Sequence, residues 1–479
     1  MTLLVIATAQ LMFVLDDTVA NIALPSIQRD MGVPAAILPW IVSAYVLAFG
    51  GLLLFGGRLG DLYGRRRVLQ IGLGIFTAAS LLGGLGVNAE MLIASRGLQG
   101  IGAALAAPNV LALIATNFPV GKERNRAMAV YGAMSALGIT IGVLLGGILV
   151  GLLSWRWVFF INIPIGLAVL AGTKVLVEGR RNTGRLDTLG AVTGTAAVVA
   201  LTYGITRGEH GWGDAVTLGA FAAAVLLGGL FLWLQSRNEH PILPLGLFGD
   251  RNRSGSYATV LFIGAGLMGT FYLLTLFMQQ VMQFAPIRTG VASLPFSVGI
   301  ILSAGVSSKL VERLSPCLVA VPGLLIAASG MFWLSTLTAG SSYLWHIMPA
   351  LFVTSFGLGL SFVPMTLTAV HNVAEDGAGV ASALVNMAQQ IGAALGLAVF
   401  TTVSLSAADG RLPDAGKVLR DGLMTNDPGV VAGAGEALTH GYTTAFLAGS
   451  EMLLAAAVIV IVAVNTRWTQ GVAGAGAIV

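Results

Sequence analysis

The sequence predicts an all-α polytopic membrane protein of about fourteen helices. Hydrophobic residues make up 56% of the 479 and charged residues only 10%. A soluble domain carries about 25% charged residues, so this chain lacks the polar surface to stay dissolved. Apolar runs of about 20 residues, the length of helix that crosses a bilayer, recur along nearly the whole chain. Glycine is abundant at 64 residues, which suits helices packed closely in lipid.

In order, the apolar runs lie at 2–27, 37–57, 68–87, 91–115, 127–151, 157–177, 187–206, 215–235, 255–279, 290–308, 317–338, 345–369, 379–404 and 442–465. An even number of spans puts both termini on one side. Seventeen of the 25 Lys and Arg residues fall in loops on that side, seven on the other, and Arg96 lies within a span. Positive loops favour the cytoplasm, so both termini are expected there, in a cytoplasmic membrane. The stretch 407–440, rich in Gly and Asp, then reads as a long external loop. Because the basic residues sit in short loops between apolar runs, no nucleic-acid partner is expected. The single cysteine, Cys317, excludes an intramolecular disulfide.

Two short echoes link the halves. Arg58-Leu59-Gly60-Asp61 resembles Lys309-Leu310-Val311-Glu312, and Gly138-xxx-Gly142 matches Gly392-xxx-Gly396. Parallel repeats are a mark of carrier proteins, and the separation exceeds six helices by room for two more. The expected organisation is a six-helix bundle at 1–184, two inserted helices and a cytoplasmic linker at 185–250, and a second six-helix bundle at 251–479.

Four segments carry a family resemblance: Leu15-Asp16-x-Thr18 through Asn21 and Leu24-Pro25; Gly57-Arg58-Leu59-Gly60-Asp61 through Gly64-Arg65-Arg66-Arg67; Arg96-Gly97-Leu98-Gln99-Gly100-Ile101-Gly102; and Trp155-Arg156-Trp157 through Asn162-Ile163-Pro164. In this order at these helix ends they resemble the fourteen-helix drug:proton antiporter branch of the major facilitator superfamily. The resemblance covers nearly the whole chain. It implies the major facilitator fold, two six-helix bundles plus two central helices, and proton-driven multidrug efflux of the kind that confers antibiotic resistance. One departure stands out. The branch's fifth-helix motif places Pro after the second Gly of its GxxxG, whereas Gly138, Gly142, Gly146 and Gly147 are present here with Val143 in that place.

A carboxylate inside a membrane helix costs about 2.5–3.5 kcal/mol on insertion scales, so Asp16 and Asp17 are candidates for binding and releasing a proton. The resemblance puts that role on Asp16. Helix geometry puts Asp17 on the face of Asn21, four residues on, with Asp16 turned about 100° away. Arg96 is the candidate partner: measured from the outer helix ends it lies about 10 Å deep and Asp16 about 16 Å, a gap an Arg side chain spans. The resemblance implies that Gly57, Arg58, Asp61, Gly64, Arg65 and Arg66 form a cytoplasmic latch between the halves. Candidate cavity residues are Asn21, Trp40, Tyr45, Tyr272, Gln279, Asn386, Gln389, Gln390 and Glu451.

These features favour an antiporter that exports lipophilic compounds, cationic or neutral, by alternating access. Its partners are the small-molecule substrate, protons and the bilayer. It is expected to be a monomer without metal or cofactor, driven by the proton gradient. A proton-coupled importer is the nearest alternative. A polytopic enzyme is disfavoured, because the chain has no HExxH, no GxxxxGK[ST] and no nucleophile elbow with partners.

Overall fold

The computed structural model describes residues 1–118, 122–178, 187–207, 212–238, 241–243, 245–311, 313–371 and 375–464, which form helices and connections without a strand. The chain divides into two compact units, Met1–Pro244 with Gln283–Val291, and Leu245–Met282 with Ala292–Val479.

The first unit contains α1 (Thr2–Met31), α2 (Trp40–Tyr63), α3 (Arg65–Gly84), α4 (Ala89–Asn117), α5 (Lys122–Leu152), α6 (Trp157–Phe160), α7 (Asn162–Gly172), α8 (Thr188–Arg207) and α9 (Ala215–Arg237). The second contains α10 (Arg251–Leu276), closed by a π-turn at Phe277–Val281. After α11 (Pro286–Ala292), most of which belongs to the first unit, follow α12 (Leu294–Leu310), α13 (Pro316–Leu334), α14 (Met348–Val370), α15 (Glu375–Asp409), α16 (Ala415–Thr425) and α17 (Pro428–Ala463). Among the described residues, twelve helical stretches are long and apolar enough to cross a membrane. Counting the bent α2 as one span makes thirteen, and α5 adds a shorter apolar stretch at Thr140–Leu152, in keeping with the roughly fourteen apolar runs of the sequence.

Local chemistry sets the helix ends. Asn88, Asp214, Asp250 and Asp427 each accept a backbone N–H of the helix they precede, satisfying donors that a first turn leaves unpaired. Gly32 ends α1 at φ 66°, and Gly64 turns α2 into α3 at φ 104°; both are backbone conformations that favour glycine.

Glycine also sets the closest helix contacts. Gly138, Gly142 and Gly146 of α5 receive Val14, Thr18 and Ile22 of α1, one helical turn per pair. The second unit repeats the device: Gly392 and Gly396 of α15 receive Leu261 and Ala265 of α10. The sequence echo between the two GxxxG segments is therefore a packing echo. The wider pattern matches too, with α2 and α3 on α4 in one unit and α12 and α13 on α14 in the other.

Three expectations need correction. The stretch 407–440 is mostly helical. Ala415, Leu419 and Gly422 bury one face of α16, Gly422 lies against Val430, and α17 starts at Pro428 instead of near 442. Residues 283–291 group with the first unit rather than with 251–479, because Gly147 and Gly151 of α5 admit Pro286 and Ile287 while Gly290 lies on the Val143 carbonyl. The inserted pair α8–α9 also groups with the first unit. It docks through α8 on α2, where Gly51 meets Thr195 and Trp40 packs on Tyr203 at 6.2 Å between ring centroids.

Candidate functional site: a buried ion pair in the first unit

Asp16 and Arg96 are both fully buried and form an ion pair, Arg96 Nη1 donating to Asp16 Oδ2 at 2.6 Å. The helices align them through small-residue contacts. The Gly138–Gly142–Gly146 stripe holds α1 on α5, while Gly100 lies against the Tyr45 carbonyl and Gly102 against Phe76, drawing α4 onto α2 and α3.

Both oxygens of the Asp16 carboxylate are engaged. Its Oδ1 accepts Gln99 Nε2 at 3.0 Å and Asn162 Nδ2 at 2.6 Å. Gln99 in turn donates to Ser80 Oγ at 2.8 Å and accepts from Arg96 Nη1 at 2.9 Å. Arg96 Nε donates to the Ile41 carbonyl at 3.0 Å, and its guanidinium lies 4.4 Å from the centre of the Tyr45 ring, a cation–π contact. Nη2 of Arg96 is buried without a partner. A desolvated pair survives in a dry interior only when hydrogen bonds supplement the Coulomb attraction, and four side chains, Tyr45, Ser80, Gln99 and Asn162 from α2, α3, α4 and α7, together with the Ile41 carbonyl, surround this one.

Asp17 faces elsewhere. Its side chain is half-buried and its Oδ1 has no partner. Asn21, 2% exposed, donates Nδ2 to the Asp17 backbone carbonyl at 2.9 Å, which leaves its own Oδ1 unpaired.

A second cluster surrounds the α2–α3 turn. Arg65 Nη2 pairs with Asp61 Oδ1 at 3.0 Å, both half-exposed, and Arg65 Nη1 donates to the Ala112 carbonyl and Thr116 Oγ1 at 3.2 Å each. Gly57 lies beside Pro108, and Gly60 sits on Asn109. The segment after α7 crosses this turn. Glu178 Oε1 accepts the Arg66 backbone N–H at 3.1 Å, where Gly64 leaves no room for a Cβ. Arg66 Nη1 reaches the Leu176 carbonyl at 3.2 Å, and Asn117 forms two hydrogen bonds with the Val177 backbone. A third cluster ties the Met31 end of α1: Asp30 Oδ2 accepts Trp155 Nε1 at 2.8 Å and Arg156 Nη1 at 3.0 Å.

Of the cavity candidates, Tyr45 is buried beneath Arg96 and Trp40 is engaged with Tyr203. In the second unit Tyr272 and Gln279 are buried, Gln389 and Gln390 half-buried, and Asn386 exposed. Gln280 accepts the Tyr442 hydroxyl at 2.7 Å within the π-turn. Glu451 is exposed, on the same outward stripe of α17 as Leu447, Leu454 and Val458. Sequence reading missed Gln99, Ser80, Asn162 and Glu178 as site residues. Gln99 stands three residues after Arg96, on the same helix face, and that spacing was the available signal. Among the described residues no group of His, Cys, Asp and Glu could hold a metal, and Glu312 lies outside them.

Comparison with known proteins places this arrangement. The chain is 41% identical over 471 residues to the puromycin resistance protein pur8 of Streptomyces alboniger, covering 97% of this chain and 91% of that one. It is 38% identical over 417 residues to the cephamycin export protein CmcT of Amycolatopsis lactamdurans, covering 85% and 86%. In fold it resembles a bacterial homologue of the human lysosomal transporter Spinster, with a TM-score of 0.68 at 17% identity over 98% of both chains. The family model of the Major Facilitator Superfamily matches residues 6–397. With the twin glycine-packed units and the buried Asp16–Arg96 pair, these matches make the chain a multi-pass membrane transporter of the Major Facilitator Superfamily, in its drug-efflux branch.

Proposed function

We propose that this protein exports lipophilic small molecules, cationic or neutral, from the cytoplasm in exchange for protons. The resistance and export functions named for its relatives support outward drug transport. The observation that carries proton coupling is the Asp16–Arg96 pair, in which a fully buried carboxylate is held by a cation and two amides inside a membrane helix. Protonating Asp16 removes the charge that Arg96 faces and frees the guanidinium, whose Nη2 already lacks a partner. Deprotonation restores the pair. Such a two-state element, coupled to rocking of two bundles, is what alternating access requires.

The driving force suffices. One pH unit supplies about 1.4 kcal/mol per proton, and 100 mV adds about 2.3 kcal/mol per charge. The protein sits in the cytoplasmic membrane with both termini inside and works as a monomer, without cofactor, metal, nucleic acid or enzymatic chemistry. The Arg65–Asp61 cluster and the Glu178 strap form the cytoplasmic latch of this reading.

The test is fluorescent-dye efflux from intact cells with and without a protonophore, together with uptake by everted vesicles. Wild type is expected to expel dye until the protonophore is added, and Asp16→Asn to fail at both. Gradient-driven uptake into intact cells would reverse the assignment to import. Unchanged efflux in Asp16→Asn would remove Asp16 as the proton carrier.

A further inference from the structure

Protonating the Asp16 carboxylate creates a hydrogen-bond donor in a place furnished with donors. Arg96 Nη1 meets Oδ2, and Gln99 Nε2 and Asn162 Nδ2 meet Oδ1, each through an N–H. A guanidinium has no acceptor to offer. The Gln99 oxygen already takes an N–H of Arg96 at 2.9 Å, while its Nε2 also reaches Ser80 Oγ at 2.8 Å. Tyr45 of α2 turns its ring face to Arg96, and Asp17 lies about 100° round α1. Asn162 is different. It is fully buried, its Nδ2 lies 2.6 Å from Asp16 Oδ1, and its own Oδ1 is buried without a partner. Half a turn of this amide about its Cβ–Cγ bond puts an oxygen where the N–H stands now. A buried donor left unpaired is costly. The carboxylate therefore belongs with the present amide, and the neutral acid with the rotated one.

The chain around Asn162 gives that turn a lever. Asn162 is the first residue of α7, next to the Ile161 junction with α6. The other end of the same segment is tied to α1 through Trp155 and Arg156 on Asp30. α1 thus holds residues 155–162 at two points, and one of them depends on the proton.

We propose that Asn162 is the positioning residue that reads the proton on Asp16: its amide donates to the carboxylate and, rotated, accepts the O–H of the carboxylic acid, so that protonation changes the hold of α1 on the α6–α7 segment. The only covalent bond made or broken is the Asp16 O–H, and its proton is the one the gradient supplies. This rests on the proton-coupling reading above and names the residue that passes the proton's presence to a neighbouring helix.

The deciding test is an infrared difference spectrum of the full chain in detergent, between acid and alkaline pH, with the side-chain carbonyl of asparagine isotopically labelled. The Asn162 band is identified by its loss in Asn162→Leu. It is expected to move to lower wavenumber on acidification, because a free oxygen gains a hydrogen bond, and to stay fixed in Asp16→Asn. A silent Asn162 band in wild type, or the same shift in Asp16→Asn, would overturn the proposal. A second measurement compares ethidium efflux driven by a pH gradient from proteoliposomes with ethidium–ethidium exchange, which needs no proton cycle. Asn162→Leu is expected to cut the driven flux at least fivefold more than the exchange. Asn162→Thr, whose hydroxyl can donate or accept, is expected to recover more than half of that difference. Thermal unfolding of each variant shows whether it is folded, and equal losses in the two modes would reduce Asn162 to a structural residue. A wild type that shows the band shift yet moves no dye under a gradient would support the amide switch and refute the antiport reading. Gradient-driven export with a silent band would refute the switch alone, so the two failures are separable.

Discussion

The α1–α5 pair of the first unit and the α10–α15 pair of the second are built by the same device, glycines of one helix receiving the backbone and side chains of the other. Their chemistry is opposite. α1 carries Asp16 and Asp17 in mid-helix, whereas α10 has no acidic residue at all. Beyond Arg251 and Arg253 in its first turn, the polar groups along α10 and its π-turn are hydroxyls and amides, among them Thr270, Gln279 and the Gln280–Tyr442 pair. Packing and function are therefore separable layers. The repeat preserves how helices meet, while mid-helix acids stand in α1 and have no counterpart in α10.

That contrast can be broken at several points. The largest effect is expected at the ion pair. Arg96→Ala leaves a buried carboxylate without its cation, and breaking one side of such a pair costs about 3–5 kcal/mol. A lower unfolding temperature in detergent and loss of pH-dependent efflux are expected together. Asp16→Asn with Arg96→Gln, neutral on both sides, is expected to recover much of the stability and none of the coupling. If the double variant still couples efflux to the gradient, the charge asymmetry between the units has no functional meaning.

The next effect tests whether packing is the shared layer. A Cβ on Gly142 would lie 2.8 Å from Thr18 Cβ, and one on Gly392 would overlap the Leu261 carbonyl. Gly142→Ala and Gly392→Ala are each expected to destabilise by about 1–3 kcal/mol, the usual cost of overpacking, measured by thermal unfolding. A large effect in one unit and none in the other would show that the repeat is only apparent.

A smaller effect is expected at the strap. Glu178→Gln keeps an acceptor for the Arg66 N–H but loses the charge at the start of α3, worth about 0.3–1 kcal/mol. Stability is expected to change little. The efflux rate should shift more, because the carboxylate fixes the turn that holds Asp61 and Arg65. The smallest effect is Tyr442→Phe, which removes one neutral hydrogen bond of about 0.5–1.5 kcal/mol. It is expected to alter the relative efflux of different dyes while leaving the pH dependence intact. A shifted pH dependence would bring the second unit into the proton pathway.

The sequence revealed the parts of this molecule whose cost is large. An acid in a membrane helix stands out, and depth counting alone brought Arg96 within reach of Asp16, where the structure joins them at 2.6 Å. The neutral members of the network, Gln99, Ser80 and Asn162, are cheap in any helix and carry no such mark; apart from the spacing of Gln99 from Arg96, only the contact identifies them. The stretch 407–440 was misread for the complementary reason. Its Gly and Asp content suggests a loop, but α16 is short and buries Ala415, Leu419 and Gly422 on one face, a pattern too brief for a scan tuned to membrane-length runs. Grouping of residues 283–291 with the first unit was not legible, since the glycines that admit them, Gly147 and Gly151, are far away in sequence. Glu178 was not legible either, because its partner is a backbone N–H that no side-chain pattern announces.

Val143, at the place where the fifth-helix motif that this chain resembles has proline, has a further consequence. α5 runs unbroken from Lys122 to Leu152, with no missing amide and no ring clash to bend it. Glycines line it on two sides, towards α1 and towards residues 286–290. Such a helix carries no proline hinge. The glycine contacts therefore meet an uninterrupted backbone ladder, and installing proline at 143 would delete one amide donor beside the notch that receives Thr18 and open a bend there.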